Sequence, residues 1–131
     1  MVVDDDPAVL RLLIVVFQVA GWEVLAFEGA EMALEVLETF QPAVVITDLD
    51  MPGVDGEEFH TRSRENGFEG RFVVISGEPN GRLKSARMGA PHVQKPFDPF
   101  RLIELVEELS QIEDGVGTWA QNTSMCGYDS P

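Results

Sequence analysis

The fold is decided by Val44-Val45-Ile46-Thr47-Asp48-Leu49-Asp50-Met51-Pro52-Gly53, in which an apolar run leads into acidic residues and then into a Pro-Gly turn. Consecutive β-branched residues are typical of a strand that is buried on both faces, as in a parallel sheet. Asp48 stands at the carboxyl end of that strand, where open α/β sheets bind their ligands. The stretch therefore predicts an α/β fold with its chemistry at Asp48, although a strand-end aspartate can also serve only as a cap.

A second acidic run lies near the start of the chain, in Val2-Val3-Asp4-Asp5-Asp6-Pro7. Three acids follow a short apolar run, and Pro7 suits the first turn of a helix. If this run and the strand before Asp48 are parallel neighbours, their carboxylates converge, and oxygen ligands without His or Cys favour a hard ion such as Mg²⁺ or Mn²⁺. The run predicts a metal site, but an acidic triplet is also typical of a solvated helix N-terminus.

Short apolar runs alternate with segments of helical length along the chain. Strands are predicted at 2–3, 23–27, 43–47, 72–75 and 92–94, and helices at 7–20, 30–40, 57–64, 81–88 and 98–112. Because crossovers between parallel strands are right-handed, these β-α units predict a doubly wound, five-stranded parallel sheet with helices on both faces.

Two more polar groups are expected at the same edge of the sheet. Ser76 ends a predicted strand and is followed by Gly77, which offers a hydroxyl and backbone N–H groups, and Lys95 follows the last strand. Ser76 alone is typical of a turn. A metal-binding acid pair, a carboxylate nucleophile, a hydroxyl and a lysine are together the groups that phosphoryl transfer to an aspartate requires.

Size, charge and cysteine content narrow the function classes. A chain of 131 residues can bury one core, and its formal net charge of −14 disfavours binding to nucleic acid. The single Cys126 cannot form an internal disulfide, and the longest apolar stretch, 9–21, is too short to cross a membrane. We expect one cytoplasmic domain at 1–114 that contacts neither nucleic acid nor membrane, and a flexible C-terminal tail at 115–131.

With these motifs in place, residues 1–113 resemble the receiver domain of two-component response regulators. The acidic pair Asp4-Asp5, the stretch around Asp48, Ser76, and Lys95-Pro96-Phe97 occur in the order of that family's motifs. The resemblance implies a flavodoxin-like (βα)5 fold with strand order 2-1-3-4-5. It also implies a signalling domain that phosphorylates and dephosphorylates itself rather than an enzyme acting on other substrates.

The resemblance also implies roles for the site residues. Asp48 would be the phosphoacceptor and, with Asp5, a direct Mg²⁺ ligand. Asp50 would add its backbone carbonyl, and Asp4 would act through water. The other implied roles are phosphoryl binding or switching at Ser76, Gly77, Lys95 and His92, control of dephosphorylation at Asp50 and Glu78, and a cis peptide at Lys95-Pro96.

The implied partners are a sensor histidine kinase or a histidine phosphotransfer protein. The first helix is apolar almost all round, so we expect an exposed strip on it, with Ile14, Val15 and Phe17 at the donor interface. A homodimer through the fourth helix, fifth strand and fifth helix is a further expectation.

Three features depart from the family pattern. His92 occupies the switch position, which is often Tyr or Phe, and an imidazole there introduces a pH dependence, although a rim histidine without a special role fits equally well. The loop before it, Gly89-Ala90-Pro91, is one residue shorter than usual, and no output domain follows in this sequence.

Two alternative functions stay open. The run Thr47-Asp48-Leu49-Asp50 also fits the nucleophile motif of haloacid-dehalogenase-like phosphatases, in which Asp50 would be the general acid. That family usually carries the motif on its first strand, whereas here it falls on the third. The other alternative is a binding module that is never phosphorylated.

Overall fold

The computed structural model describes residues 1–111, in which strands and helices alternate. The strands are β1 (Val2–Val3), β2 (Ala26–Phe27), β3 (Val44–Asp48), β4 (Arg71–Ser76) and β5 (His92–Gln94). The helices are α1 (Pro7–Val19), α2 (Ala30–Leu37), α3 (Gly56–Glu65), α4 (Gly81–Met88) and α5 (Pro99–Ser110). All neighbouring strands are parallel and the order is β2-β1-β3-β4-β5, which confirms the predicted doubly wound, flavodoxin-like sheet.

The register of the strands brings the polar residues to one edge. Val3 of β1 pairs with Thr47 of β3, so the acids that follow each strand are neighbours. On the other side of β3, Asp48 pairs with Ile75, one residue before Ser76. Because all strands run in the same direction, their carboxyl ends meet at a single edge.

Successive residues of the sheet face opposite layers, as the strand period of two requires. Val2 and Ile46 pack in one core with buried side chains of α1 and α5, including Leu13 and Leu102. The opposite core contains Val3 and Val45 with residues of α2 and α3. The sheet is therefore covered on both faces, as its continuous apolar strands predict.

Helix α4 differs from the other helices in the side chains that it buries. Its buried positions are Gly81 and Ser85, so it buries no large apolar side chain. Leu83, on the same helix, is 59% exposed. The helix ends at Gly89, whose φ of 69° is left-handed and favours glycine.

The prediction that Phe17 lies on the exposed strip of α1 is wrong. Phe17 is 3% exposed and packs edge-on against Trp22, with ring centroids 6.4 Å apart. The helical period places it on the core side with Leu10 and Leu13. The exposed apolar side chains of α1 are Leu12, Val15 and Val19, while Ile14 is half-buried.

Strand β2 is shorter than predicted and α2 ends three residues earlier, at Leu37, than the predicted end at 40. The predicted tail at 115–131 lies outside the described residues, and the domain boundary at 114 stays a prediction. Among residues 1–111, none of the helices has the length and apolar character to cross a membrane.

Candidate phosphoryl and metal site

Three carboxylates converge at the carboxyl edge of the sheet. Asp4, Asp5 and Asp48 each offer an oxygen, and these oxygens all lie within 4.8 Å of one another. Asp4 is 0% exposed and Asp48 is 6% exposed, whereas Asp5 faces solvent. Two buried carboxylates and an accessible third form an opening lined with oxygen, as predicted from the ends of β1 and β3.

Lys95 lies between the two buried carboxylates. Its Nζ donates to Oδ2 of Asp4 at 2.9 Å and to Oδ2 of Asp48 at 3.1 Å. The backbone places the side chain there, because the Lys95 N–H donates to the carbonyl oxygen of Ser76 at 3.0 Å. The Lys95-Pro96 peptide is cis, as expected.

The second oxygen of Asp48 is held by the chain that follows it. Oδ1 accepts from the N–H of Leu49 at 2.7 Å and from the N–H of Asp50 at 3.3 Å. Asp50 itself is exposed, two residues beyond the strand end. The Asp48 carboxylate is therefore fixed at both oxygens and presented to the opening.

The cluster carries more negative than positive charge, because three carboxylates lie near one lysine. Burial raises the pKa of Asp48, and the neighbouring charge of Asp4 raises it further, while the hydrogen bond from Lys95 lowers it. Burial lowers the pKa of Lys95, but its hydrogen bonds to Asp4 and Asp48 outweigh this and the net shift is upward. One lysine faces three carboxylates, so a divalent cation fits this all-oxygen set and would relieve the remaining repulsion.

Ser76 and Gly77 lie beside Lys95 at the end of β4. Ser76 is 1% exposed, and its Oγ accepts from the N–H of Glu78 at 3.1 Å. A Cβ on Gly77 would lie 3.6 Å from Cβ of Lys95, which is an ordinary contact. The hydroxyl and the lysine are thus brought to one edge, as the sequence predicted.

Glu78 is held by a residue that the sequence analysis missed. Lys84 of α4 donates to Oε1 of Glu78 at 3.0 Å, and this hydrogen bond is the main reason that the pKa of Lys84 is raised. Glu78 and Lys84 are six residues apart, which is not a spacing that brings two side chains together on one helix. The pair could be predicted only together with the turn between β4 and α4. The contact fixes the loop between β4 and α4 to the helix.

His92, at the start of β5, is turned inward. It is 8% exposed, and neither of its ring nitrogens has a hydrogen-bond partner. Burial lowers its pKa, and the charge of Arg82 lowers it further. The lowered pKa favours the uncharged imidazole at neutral pH.

Gly56 and Gly81 each lie so close to residues of the site that a side chain larger than hydrogen would not fit, and the sequence analysis missed both. A Cβ on Gly56 would lie 2.8 Å from Cα of Leu49 and would overlap the backbone carbonyl of Asp48. A Cβ on Gly81 would lie 2.7 Å from Oγ of Ser76. Gly56 follows Asp55, the N-cap of α3, but no local pattern indicates a contact with Asp48.

Comparison with known proteins places these features in a family. Residues 1–107 match the family model described as the response regulator receiver domain. An uncharacterized 14.6 kDa protein in the sodA1 3′ region of Leptolyngbya boryana is 33% identical over 113 residues, which are 82% of this chain and 86% of that protein.

Longer relatives and solved structures also match this chain. The phosphate regulon transcriptional regulatory protein PhoB of Pseudomonas aeruginosa is 26% identical over 79% of this chain and 47% of its own length. The crystal structure of the receiver domain of NtrX from Brucella abortus has a TM-score of 0.78 and 27% identity, covering 86% of this chain and 98% of that domain. The chain spans about half the length of the first curated relatives that it matches, at 47% and 53%.

Proposed function

This chain belongs to the family of response regulator receiver domains, and we propose that it is a phosphorylation-dependent switch that accepts a phosphoryl group on Asp48. The observation that carries the proposal is the position of Lys95, whose Nζ lies 2.9 Å from Asp4 and 3.1 Å from Asp48. A lysine that already contacts the acceptor carboxylate is placed to contact a phosphoryl oxygen once that carboxylate is modified.

The residues that would hold Mg²⁺, or Mn²⁺, are those of the acidic opening. Asp5 and Asp48 would bind it directly, Asp50 would contribute its backbone carbonyl, and Asp4 would bind through water. Support comes from the clustering of the carboxylate oxygens within 4.8 Å and from the lack of nitrogen or sulfur donors among them. The bound cation would neutralise charge on the carboxylates and on the phosphoryl oxygens.

In the transfer step, an Asp48 oxygen attacks the phosphorus of a phosphohistidine or of a small donor such as acetyl phosphate. With a phosphohistidine, the P–O bond to Asp48 forms as the P–N bond breaks, and the leaving imidazole takes a proton from solvent. With acetyl phosphate, the P–O bond to the acetyl group breaks and acetate leaves. Lys95 moves from the carboxylate to a phosphoryl oxygen. The Ser76 hydroxyl and the Gly77 N–H donate to the other oxygens, so charge is stabilised where it develops.

Resetting requires a water to attack the same phosphorus. Asp50 and Glu78 flank the site, on the chain after Asp48 and after Ser76, and we propose that they steer this water. Lys84 keeps Glu78 in a fixed position in the unmodified protein. The domain would therefore phosphorylate and dephosphorylate itself without acting on other substrates.

The phosphoryl donor would be a sensor histidine kinase or a histidine phosphotransfer protein. We propose that it docks on α1, which begins directly after the acidic run. Val15, at 58% exposure, stays in the proposed interface, and Leu12 and Val19 replace Phe17 as its exposed apolar members. Ile14 contributes from the edge of this strip.

The surface that changes on phosphorylation and binds the downstream partner would be formed by α4, β5 and α5. A groove of about 190 Å³ lies between them, with apolar walls that include Val93, Phe97 and Leu105. Phe100, in the first turn of α5, is 72% exposed. We propose this face as the surface for a homodimer or another partner, biased by the movement of Ser76 and His92.

The test is intact-mass spectrometry after incubation with acetyl phosphate, with and without Mg²⁺, on the wild type and on Asp48→Asn. We expect one labile phosphoryl adduct that needs Mg²⁺ and is absent from the variant. Asp55→Asn is the matched control, because Asp55 is exposed, caps α3 through a bond from the Glu58 N–H that asparagine can also accept, and has no part in the proposed transfer, so this variant should still be labelled.

Other outcomes would overturn the proposal. Absence of an adduct on the wild type, with metal bound, would identify a binding module that is not phosphorylated. Steady hydrolysis of an unrelated substrate such as p-nitrophenyl phosphate, with no lasting adduct, would favour the phosphatase alternative.

A further inference from the structure

His92 is buried at the edge of the site without a hydrogen-bond partner. The residue is 8% exposed, and both Nδ1 and Nε2 are unpaired. Buried polar groups are nearly always paired in native proteins, so an imidazole with two unpaired nitrogens calls for an explanation. The one that fits best is a partner that the ring acquires in another state of the protein.

Gly81 reveals which partner is in reach. A Cβ on Gly81 would lie 2.9 Å from Nε2 of His92 and 2.7 Å from Oγ of Ser76, so these two atoms face the same small space over the first residue of α4. Their separation is at most the sum of those two distances. A movement of either side chain toward the other would bring them within hydrogen-bond distance.

The Ser76 hydroxyl has room for one more donor. Its Oγ accepts from the N–H of Glu78 at 3.1 Å, and a hydroxyl oxygen has a second lone pair. If Nε2–H of His92 filled that lone pair, the hydroxyl proton would have to point away from both donors. A hydroxyl that accepts two hydrogen bonds is also a stronger donor itself.

We propose that His92 is a positioning residue for Ser76: Nε2–H of its neutral ring donates to Oγ and directs the hydroxyl proton toward a phosphoryl oxygen on Asp48. This inference rests on the proposed phosphorylation of Asp48. The bond closes as the phosphoryl group draws on the Ser76 hydroxyl. A phenylalanine at position 92 would fill the same space but could not donate.

Burial, and after it the charge of Arg82, favours the neutral form of the ring. Arg82 of α4 and Asp98 and Arg101 of α5 line the groove that His92 shares. Burial and the charge of Arg82 both lower the pKa of the ring. A neutral imidazole carries a single N–H, so the inference requires the proton to be on Nε2 and not on Nδ1.

The first experiment is a double-mutant cycle on the rate of labelling by acetyl phosphate and Mg²⁺. His92→Phe should slow labelling about fivefold when Ser76 is present, the value of one ordinary hydrogen bond, and should have no effect in the Ser76→Ala background. An equal effect in both backgrounds, or no effect in either, would overturn the inference. A purely packing role would not discriminate between the two backgrounds.

The second experiment locates the proton directly by long-range ¹H–¹⁵N spectroscopy of the His92 ring in the unmodified protein at neutral pH. We expect a proton on Nε2, and on labelling with acetyl phosphate and Mg²⁺ the Nε2 ¹⁵N shift should change in the wild type and not in Ser76→Ala. A proton on Nδ1 with a bare Nε2 would refute the inference whether or not the chain is phosphorylated. Failure of the wild type to form an adduct would instead refute the proposed function.

Discussion

Gly56 and Asp48 are in direct backbone contact. The N–H of Gly56 donates to the carbonyl oxygen of Leu49 at 2.9 Å, and this bond holds the start of α3 against the chain that follows Asp48. A Cβ on Gly56 would lie 2.8 Å from Cα of Leu49 and would overlap the carbonyl oxygen of Asp48. The end of β3 and the start of α3 can therefore approach this closely only with glycine at position 56.

We expect Gly56→Ser to lower the free energy of unfolding by about 2 to 3 kcal/mol, because the backbone atoms that it meets cannot rotate away. Gly29→Ser is the matched control, since Gly29 caps α2 with open space around it and serine is a favoured N-cap. Urea unfolding of both variants measures the difference. Equal stability of the two variants would contradict the contact.

Lys95→Met should lower stability by about 2 to 3 kcal/mol at pH 7, because two buried carboxylates lose their cation while partial exposure of the lysine limits the cost. The raised pKa of Asp48 should rise further in this variant. Protonation then removes the repulsion, so the cost should shrink as the pH is lowered from 7 to 5. Urea unfolding at both values checks this.

Lys84→Met is the control for Lys95→Met, because it removes a lysine of the same size whose partner, Glu78, lies nearer to solvent. Its effect on stability should be smaller and should not depend on the protonation of Asp48. A larger loss of stability in Lys84→Met than in Lys95→Met would show that the carboxylates of Asp4 and Asp48 do not need the charge of Lys95.

Mg²⁺ should raise the melting temperature of the wild type, since a ligand at about one hundred times its dissociation constant adds about 2.7 kcal/mol to stability. Asp5→Asn should abolish this increase and should not destabilise the metal-free protein, because Asp5 is exposed and its loss removes one charge from the repelling carboxylates. Asp6→Asn is the matched control: Asp6 caps α1 through a bond from the Ala8 N–H, and asparagine caps equally well. An undiminished Mg²⁺ effect in Asp5→Asn would exclude Asp5 as a ligand.

His60 should make the protein less stable in mild acid. Its ring lies 4.8 Å from that of Phe72, its Nε2 is buried without a partner, and burial, assisted by Arg64, lowers its pKa below 6.5. The unfolded chain then binds more protons as the pH falls through 6.5, so stability present above that pH is lost below it.

Urea unfolding at pH 7.5 and 5.5 measures this loss. His60→Gln should show a smaller difference between the two pH values than the wild type does, because its side chain does not titrate. An unchanged pH dependence in His60→Gln would assign the loss to other groups. Asp48 is not one of them, since a raised carboxylate pKa has the opposite sign and favours the folded state as the pH falls.

The sequence was sufficient to predict the order of the β-α units and the convergence of Asp4, Asp48 and Lys95. These predictions succeed because residues at the ends of parallel strands meet at one edge whatever the details of packing. Phe17 was placed on the wrong face because nearly every residue around it on α1 is apolar, which hides the buried side of a helix. The contacts of Gly56 and Gly81 depend on approaches between separate elements, which no local pattern encodes.

Helix α4 buries only Gly81 and Ser85, and this has a consequence for the local stability of the domain. A helix without a large buried side chain can detach at a small fraction of the global unfolding free energy, so its amide hydrogens should exchange with deuterium before those of β3 and β4. Because α4 begins at Gly81, beside Oγ of Ser76, a hydrogen bond gained or lost at Ser76 acts directly on the end of this helix.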